Sequence, residues 1–163
     1  MSNLYYIDTN ILVKYYQRED GSEQVRELIR NNSIYISNWT IVEYVGALKG
    51  ILFPQGLNSN EQYNRKKDFE VFFENLQWDI IEKTFNLHIL PVNFNKRATG
   101  LIKDFGVKKQ MGMKNGDALQ IVAYEEFLKL QPDSIFVTHD SPLKNILEEL
   151  NLKFIDPIPA KSN

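Results

Sequence analysis

Four acidic residues stand where their carboxylates can act together. Asp8 and Asp140 each follow a short apolar segment, Asp117 opens an apolar helical pattern, and Glu43 lies on a face of small and polar residues. Two such charges about 4 Å apart repel by roughly 4 kcal/mol at an effective dielectric of 20. Carboxylates gathered in one place therefore hold protons at a raised pKa or bind a cation.

Oxygen ligands of this kind suit a hard divalent ion, Mg²⁺ or Mn²⁺, which can activate a water molecule and neutralise a phosphate. The chain has no cysteine and only two histidines, His88 and His139, which are not at helical spacing. The sequence therefore does not predict a zinc site. We interpret His88 as a structural residue, and the role of His139 beside Asp140 stays open.

Each acid also has a structural interpretation. Asp8 can cap the following helix, and Glu43 can close a capping box that starts at Thr40. Asp117 can stabilise the first turn of its helix through the helix dipole. Asp140 is not needed as a cap, because Ser141 followed by proline already supplies one. The joint placement of the four acids is what favours a site.

The acids are positioned by a regular alternation of strand-like and helix-like segments. The predicted strands are Leu4–Ile7, Ser33–Ile36, Leu87–Val92, Ser134–Thr138 and Leu152–Ile155. The predicted helices are Asn10–Gln17, Glu23–Arg30, Trp39–Leu52, Glu61–Phe85, Phe94–Phe105, Asp117–Leu130 and Pro142–Leu150, with a basic, glycine-containing loop over Gly106–Gly116. This alternation predicts βαβ units and a parallel sheet flanked by helices, with the strand carboxyl ends on one edge.

Composition limits the class of protein. The chain has 163 residues, 43% of them apolar and 25% charged, with a formal net charge of -2. We expect one domain spanning residues 1–163, in which about 53–85 form a helical extension. No signal peptide or membrane span is predicted, so a soluble cytoplasmic protein is the expectation.

Four ordered motifs resemble those of the PIN-domain ribonucleases, and among them the VapC-type toxins of toxin–antitoxin pairs. The motifs are Ile7–Leu12, Ser37–Glu43, Gly116–Ala123 and Val137–Asp140. The resemblance implies a single PIN-like domain with strand order 3-2-1-4-5. The chain departs from the family by extra length in Phe53–Phe85, where we predict a helical hairpin extension. The resemblance also implies a Mg²⁺- or Mn²⁺-dependent endoribonuclease that hydrolyses RNA phosphodiester bonds, together with a cognate antitoxin and a homodimer.

By position, Asp8 and Asp117 match the family's principal metal ligands, and Glu43 and Asp140 match its supporting acids. The small polar residues Thr9, Asn10 and Thr138 match positions that hold the site or the phosphate. Basic residues could line a phosphate path. They are Arg65, Lys66, Lys67, Lys108, Lys109 and Lys114.

Two other functions remain open from the residues alone. A non-catalytic RNA- or protein-binding module could use the same fold, although it would not need all four acids. A phosphatase or phospho-receiver domain also places aspartate at strand ends. A phosphatase site would need a second aspartate at the position of Asn10. A phospho-receiver domain would need an aspartate after the third strand, where Pro91–Asn93 contains none.

Overall fold

Five parallel strands form the sheet in the computed structural model, which describes residues 3–91 and 94–158. The strands are β1 (Leu4–Ile7), β2 (Ser33–Ser37), β3 (Asn86–His88), β4 (Ile135–Val137) and β5 (Phe154–Ile155). Their spatial order is β3-β2-β1-β4-β5, with every neighbouring pair parallel. This confirms the predicted order 3-2-1-4-5.

Seven α-helices flank the sheet in the described residues. They are α1 (Thr9–Tyr16), α2 (Ser22–Arg30), α3 (Asn38–Leu52), α4 (Ser59–Ile81), α5 (Asn95–Leu101), α6 (Asn115–Leu128) and α7 (Ser141–Glu149). A π-helical segment, Ile102–Lys108, continues α5 directly. Helices between successive parallel strands are the connections that such a sheet requires.

The central strand β1 is apolar throughout because both of its faces are covered. Tyr5 and Ile7 point to the face that packs with α1, α2, α3 and α4. Tyr6 points to the opposite face, where its ring lies 5.0 Å from the ring of Phe127 in α6. The alternation of side chains along a strand therefore divides one short run between two cores.

Several predicted boundaries shift. The third strand is shorter than predicted, and Val92 lies outside the described residues. The fourth long helix runs over Ser59–Ile81 rather than to Phe85, with a capping box between Asn58 and Glu61 at its start. Where a helix followed by a long basic loop was predicted, the π-helical segment extends the helix to Lys108.

Helices α3 and α4 form a helical hairpin over the side of the sheet. Leu76 is the one residue of α4 that is fully buried, whereas Val71 is 53% exposed. Phe69, Phe72 and Ile80 are partly buried against the same core. The apolar face of α4 therefore packs through a narrow stripe, with a hydrogen bond of 2.5 Å from the Tyr16 hydroxyl to Asp79 Oδ2 beside it.

None of the helices in the described parts of the chain combines the length and apolar character that crossing a lipid bilayer needs.

The packing of α4 is testable at Leu76. We expect Leu76→Ala to lower the free energy of unfolding by about 2–5 kcal/mol, because it leaves a cavity under the helix. Val71→Ala on the exposed face should change it by less than about 0.5 kcal/mol. Urea denaturation of both variants measures the difference, and equal effects would contradict the packing described here.

Candidate metal and catalytic site

The four acids of the sequence analysis line one cleft of about 340 Å³ at the carboxyl edge of the sheet. Strands β1 and β4 are neighbours, with Ile7 opposite Val137, so Asp8 and Thr138 follow them side by side. Ligands of open α/β sheets bind at this edge. The cleft is lined by Asp8, Thr9, Asn10, Val13, Lys14, Glu19, Glu43, Ala47, Asp117, Gln120, Asp140 and Leu143.

Asp8 is the deepest of the acids and is only 3% exposed. Its Oδ1 accepts a hydrogen bond of 3.1 Å from the backbone N–H of Ile11, which makes Asp8 the N-cap of α1. Its Oδ2 accepts a bond of 2.5 Å from the Thr138 hydroxyl. Burial nevertheless raises the pKa of the Asp8 carboxyl to about 7, and the charges of Asp140 and Glu43 add to the rise.

Glu43 is held by side chains rather than by its own helix. The predicted capping box with Glu43 is wrong: the box lies one turn earlier, with Ser37 as N-cap and Thr40 closing it. Glu43 Oε2 instead accepts bonds of 2.8 Å from the Thr9 hydroxyl and 2.6 Å from the Gln120 amide. Its carboxylate therefore faces the cleft.

A side chain at position 116 would collide with this carboxylate. A Cβ built on Gly116 would lie 1.8 Å from Glu43 Oε1. The absence of a side chain at Gly116 is thus what lets the start of α6 approach Glu43 closely.

Asp117 lies in the first turn of α6, as predicted. Its Oδ2 accepts a bond of 2.8 Å from the backbone N–H of Lys114. Burial raises the pKa of the Asp117 carboxyl, and the charges of Asp140 and Glu43 act in the same direction. Lys114 contributes this backbone donor, and its side chain does not line the cleft.

Asp140 caps α7, which corrects the prediction that Ser141 would do so. Its Oδ1 accepts a bond of 2.9 Å from the backbone N–H of Leu143, and Ser141 and Pro142 form the first helical turn. The backbone N–H of Asp140 donates to the Thr138 hydroxyl at 3.1 Å. Thr138 therefore links Asp140 to Asp8.

The four carboxylates share a cleft without forming a tight cluster. In residues 3–91 and 94–158, no three Asp, Glu or His side chains are gathered closely enough to hold a metal ion as they stand. Their charges still reach one another, since Glu43 and Asp140 raise the pKa of both Asp8 and Asp117. The arrangement is an acidic cleft whose walls carry the potential ligands.

His139 is anchored away from the four acids. Its Nδ1 lies 2.9 Å from Asp156 Oδ1, and Lys144 Nζ donates to Asp156 Oδ2 at 2.7 Å. The backbone N–H of His139 points back to the site and meets Asn10 Oδ1 at 3.4 Å. Asn10 is thereby positioned between the cleft and the β4–α7 turn.

The predicted basic residues lie outside the cleft. Lys108 pairs with Asp104 at 2.7 Å, Lys109 pairs with Glu149, and none of the six predicted residues lines the cleft. The cation that does line it is Lys14, whose Nζ bonds Glu19 Oε1 at 3.0 Å. Neither Lys14 nor Glu19 was predicted, because their placement depends on the fold of the α1–α2 turn.

Gln120 is the main residue that the sequence analysis missed. It is 2% exposed, and its Nε2 donates to Glu43 and, at 2.8 Å, to Thr9, while its Oε1 accepts from Thr40 at 3.1 Å. Gln120 lies three residues after Asp117, so both side chains lie on one face of the helix. This spacing is the feature of the sequence that could have identified Gln120.

Gln120 offers a test of this buried network. We expect Gln120→Leu to lower the free energy of unfolding by about 1–3 kcal/mol, because Thr9, Thr40 and Glu43 lose a buried partner. Chemical denaturation measures the loss. Gln131→Leu, at an exposed position before β4, serves as the control, and a loss equal to that of the control would contradict the network.

Solved structures share this fold over nearly the whole chain. FitAB bound to an IR36 DNA fragment matches with 14% identity and a TM-score of 0.63, covering 98% of this chain and 99% of that one. FitAcB from Neisseria gonorrhoeae matches with 14% identity, a TM-score of 0.61, and coverage of 94% and 97%. VapBC-1 from nontypeable Haemophilus influenzae matches with 16% identity, a TM-score of 0.53, and coverage of 96% and 99%. At these identities the likeness concerns the fold.

No curated protein matches the chain significantly. The sequence profile described as "PIN domain" matches residues 5–126, which include β1 to β3 and the acids Asp8, Glu43 and Asp117. That match spans most of the chain and agrees with the strand order and with the cleft at the sheet edge, and the chain therefore belongs to the PIN-domain family.

Proposed function

We propose that this PIN domain is a Mg²⁺- or Mn²⁺-dependent endoribonuclease that hydrolyses RNA phosphodiester bonds. The observation that carries the proposal is the meeting of Asp8, Glu43, Asp117 and Asp140 in one cleft at the carboxyl edge of the sheet. Family membership supports it, because PIN domains are typically nucleases. The sequence resemblance points the same way.

The residues of the cleft fit a hard divalent cation. Every potential ligand is an oxygen, and described residues contribute neither imidazole nor thiol to the lining. The buried Asp8, whose pKa is raised by desolvation and by its acidic neighbours, is a group that a cation would stabilise in its charged form. Asp8 and Asp117 would hold the ion, with Glu43 and Asp140 supporting it.

A bound Mg²⁺ or Mn²⁺ would supply an activated water and charge neutralisation at the phosphate. The protein's own groups fix the geometry around that position. Thr138 and the Ile11 N–H hold the two oxygens of Asp8, and Thr9 and Gln120 hold one oxygen of Glu43. The other oxygen of Glu43, on the side of Gly116, accepts no hydrogen bond from the described residues and remains available for an ion.

We further propose that the chain is the toxin of a type II toxin–antitoxin pair, acting in the cytoplasm as a homodimer with a cognate antitoxin. Support comes from the PIN family and from structural neighbours that are themselves FitAB and VapBC complexes. Expression of the chain should arrest growth, whereas expression of Asp8→Asn should not. Relief of the arrest by the product of an adjacent small open reading frame would identify the antitoxin.

A second candidate is a non-catalytic RNA- or protein-binding module. The observation that favours it is that no three acids of the described chain are gathered at ligand distances. Titration of the protein with Mn²⁺ separates the two functions. Binding in the micromolar to millimolar range supports the nuclease, and its absence supports the binding module.

The nuclease is tested by removing charge from the two principal acids. We expect Asp8→Asn and Asp117→Asn each to reduce RNA cleavage by about a hundredfold or more, because each loses a ligand for the cation. Asparagine keeps an oxygen for the helix-capping bonds, so the fold should persist. Cleavage of total RNA in Mg²⁺ or Mn²⁺, with circular dichroism of each variant, measures both effects.

Asp133→Asn provides the matched control, because Asp133 lies exposed in the turn before β4. Its cleavage should equal that of the parent. If Asp8→Asn or Asp117→Asn cleaves RNA as fast as this control does, the assignment of these residues fails.

Stability against pH tests the cation site without using activity. Because the folded protein raises the pKa of Asp8 from 3.8 to about 7, it binds that proton more tightly than the unfolded chain does. The stabilisation is complete below pH 4 and is lost as pH rises toward 7, by up to about 4 kcal/mol. We expect Asp8→Asn to remove this loss, and thermal unfolding in chelator from pH 4 to 8 measures it.

Addition of Mg²⁺ or Mn²⁺ should reverse the loss in the parent at pH 7–8, by about 2.7 kcal/mol at a hundredfold excess over the dissociation constant. The same addition should leave Asp8→Asn nearly unchanged. Parallel pH profiles for parent and variant in chelator would contradict the buried charge at Asp8.

A further inference from the structure

Two further clefts adjoin the candidate catalytic cleft along the α1–α2 turn. A cleft of about 370 Å³ shares Glu19 with it and is also lined by Arg18 and Arg26. A third, of about 570 Å³, shares Arg18 and Arg26 with the second and extends between α1, α2 and α4 to Arg30 and Trp78. We call this third space the arginine–tryptophan cleft.

The acids along this path are already engaged. Glu19 accepts from Lys14 at 3.0 Å, and Glu23 accepts from Arg26 at 2.5 Å. Asp79 accepts from the Tyr16 hydroxyl at 2.5 Å. Glu19 and Glu23 are therefore neutralised by cations, whereas Asp79 keeps its charge and is outnumbered by the arginines of the cleft.

Arg26 is likewise a structural residue. Its guanidinium donates to the carbonyl oxygens of Tyr15 and Gln17, at 3.0 and 2.9 Å, besides its pair with Glu23. It therefore ties α2 to the end of α1. The exposed cations of the path are other residues.

Arg18 and Arg30 carry the available positive charge. Both are exposed, and neither makes a hydrogen bond or ion pair with any residue that the structure describes. Guanidinium groups in this state bind phosphate oxygens in a fixed bidentate geometry.

Trp78 supplies an apolar surface in the same cleft and is 61% exposed. An exposed indole beside unpaired guanidinium groups is the combination that binds single-stranded nucleic acid. The bases stack on the ring, and the phosphates meet the cations. An acidic peptide could bring an apolar side chain to the indole, but the adjoining candidate catalytic cleft favours RNA as the occupant.

We propose that the arginine–tryptophan cleft binds the single-stranded RNA beside the scissile bond. Phosphates of that strand contact Arg18 and Arg30, and one base stacks on Trp78. The proposal rests on the ribonuclease function proposed above, and it adds where the strand leaves the catalytic cleft. The three clefts lie next to one another, with Glu19 and Arg18 as shared lining residues, and this adjacency gives the strand its course.

Binding is measured in the Asp8→Asn protein, which should not cleave the probe. The probe is a labelled, mixed-sequence single-stranded RNA of about 12 nucleotides, followed by fluorescence anisotropy over a range of salt concentrations. We expect Arg18→Gln with Arg30→Gln to weaken binding about tenfold. The slope of log affinity against log salt should shrink by about 1.4, because two phosphate contacts of a single strand are lost.

Trp78 gives a spectroscopic signature. We expect RNA to quench tryptophan fluorescence, Trp78→Phe to keep the affinity while losing most of the quenching, and Trp78→Ala to weaken binding about tenfold. If Trp78 were only structural, Trp78→Phe would not lose the quenching while keeping the affinity. Trp39 remains in both variants, so any quenching that it contributes is the same in each.

Arg65→Gln with Lys66→Gln is the matched control. It removes two positive charges from the same helix as Trp78, about 20 Å away along the helix axis. This control should leave affinity, salt slope and quenching as in the parent. If it lowers binding as much as the Arg18 and Arg30 substitutions do, the strand does not follow the proposed cleft.

The failure of this proposal differs from the failure of the proposed function. Cleavage by the active protein together with unchanged RNA binding in the arginine and tryptophan variants overturns only the strand path. If the parent neither cleaves nor binds RNA, both proposals fall. Unchanged RNA binding with weakened binding of poly-glutamate would assign the cleft to an acidic protein partner and overturn the RNA assignment.

Discussion

The desolvation of one carboxylate organises this molecule. Asp8 follows the central strand, where neighbouring strands and helices exclude water from it. Burial removes the hydration of the Asp8 carboxylate, and the hydrogen bonds from Ile11 and Thr138 do not fully compensate for it. The pKa of Asp8 therefore stays raised to about 7. A buried carboxylate of this kind is stable with a proton or with a cation beside it. The other acids of the cleft lie around this carboxylate.

Helix N-termini stabilise the acids of the cleft. Asp8 caps α1, Asp140 caps α7, and Asp117 lies in the first turn of α6, so three helix N-termini meet at one sheet edge. Each N-terminus offers unpaired N–H donors and a partial positive charge to a carboxylate. The capping and ligand interpretations of these residues are therefore compatible, because one carboxylate oxygen can cap a helix while the other faces the cleft.

Local patterns in the sequence were sufficient for a parallel sheet with the acids at one edge, whereas the strand order came from the family resemblance. Alternating apolar segments predict a parallel sheet, and parallel strands end at one edge. Glu43 shows where that reasoning stops. Whether its helix starts at Ser37 or at Thr40 changes its role, and that choice depends on a hydroxyl pair between Ser37 and Thr40 buried in the fold. The role of Gln120 was harder to predict, because its three partners lie on two other helices, α1 and α3.

In the proposed nuclease, the charge of the cleft would separate the chemistry from substrate binding. Asp8, Glu19, Glu43, Asp117 and Asp140 line it, with Lys14 as the cation of the described lining and already paired with Glu19. Such a cleft repels a phosphate unless a divalent ion enters first, so the ion and the scissile phosphate would bind in a coupled manner. The proposed RNA strand would then need attachment where the surface is not acidic. The unpaired guanidinium groups of Arg18 and Arg30 lie along the adjoining cleft, on the far side of the engaged Glu19. Affinity and catalysis would thus be carried by different elements, α1–α2 and α4 for the strand and the sheet edge for the bond that is cleaved.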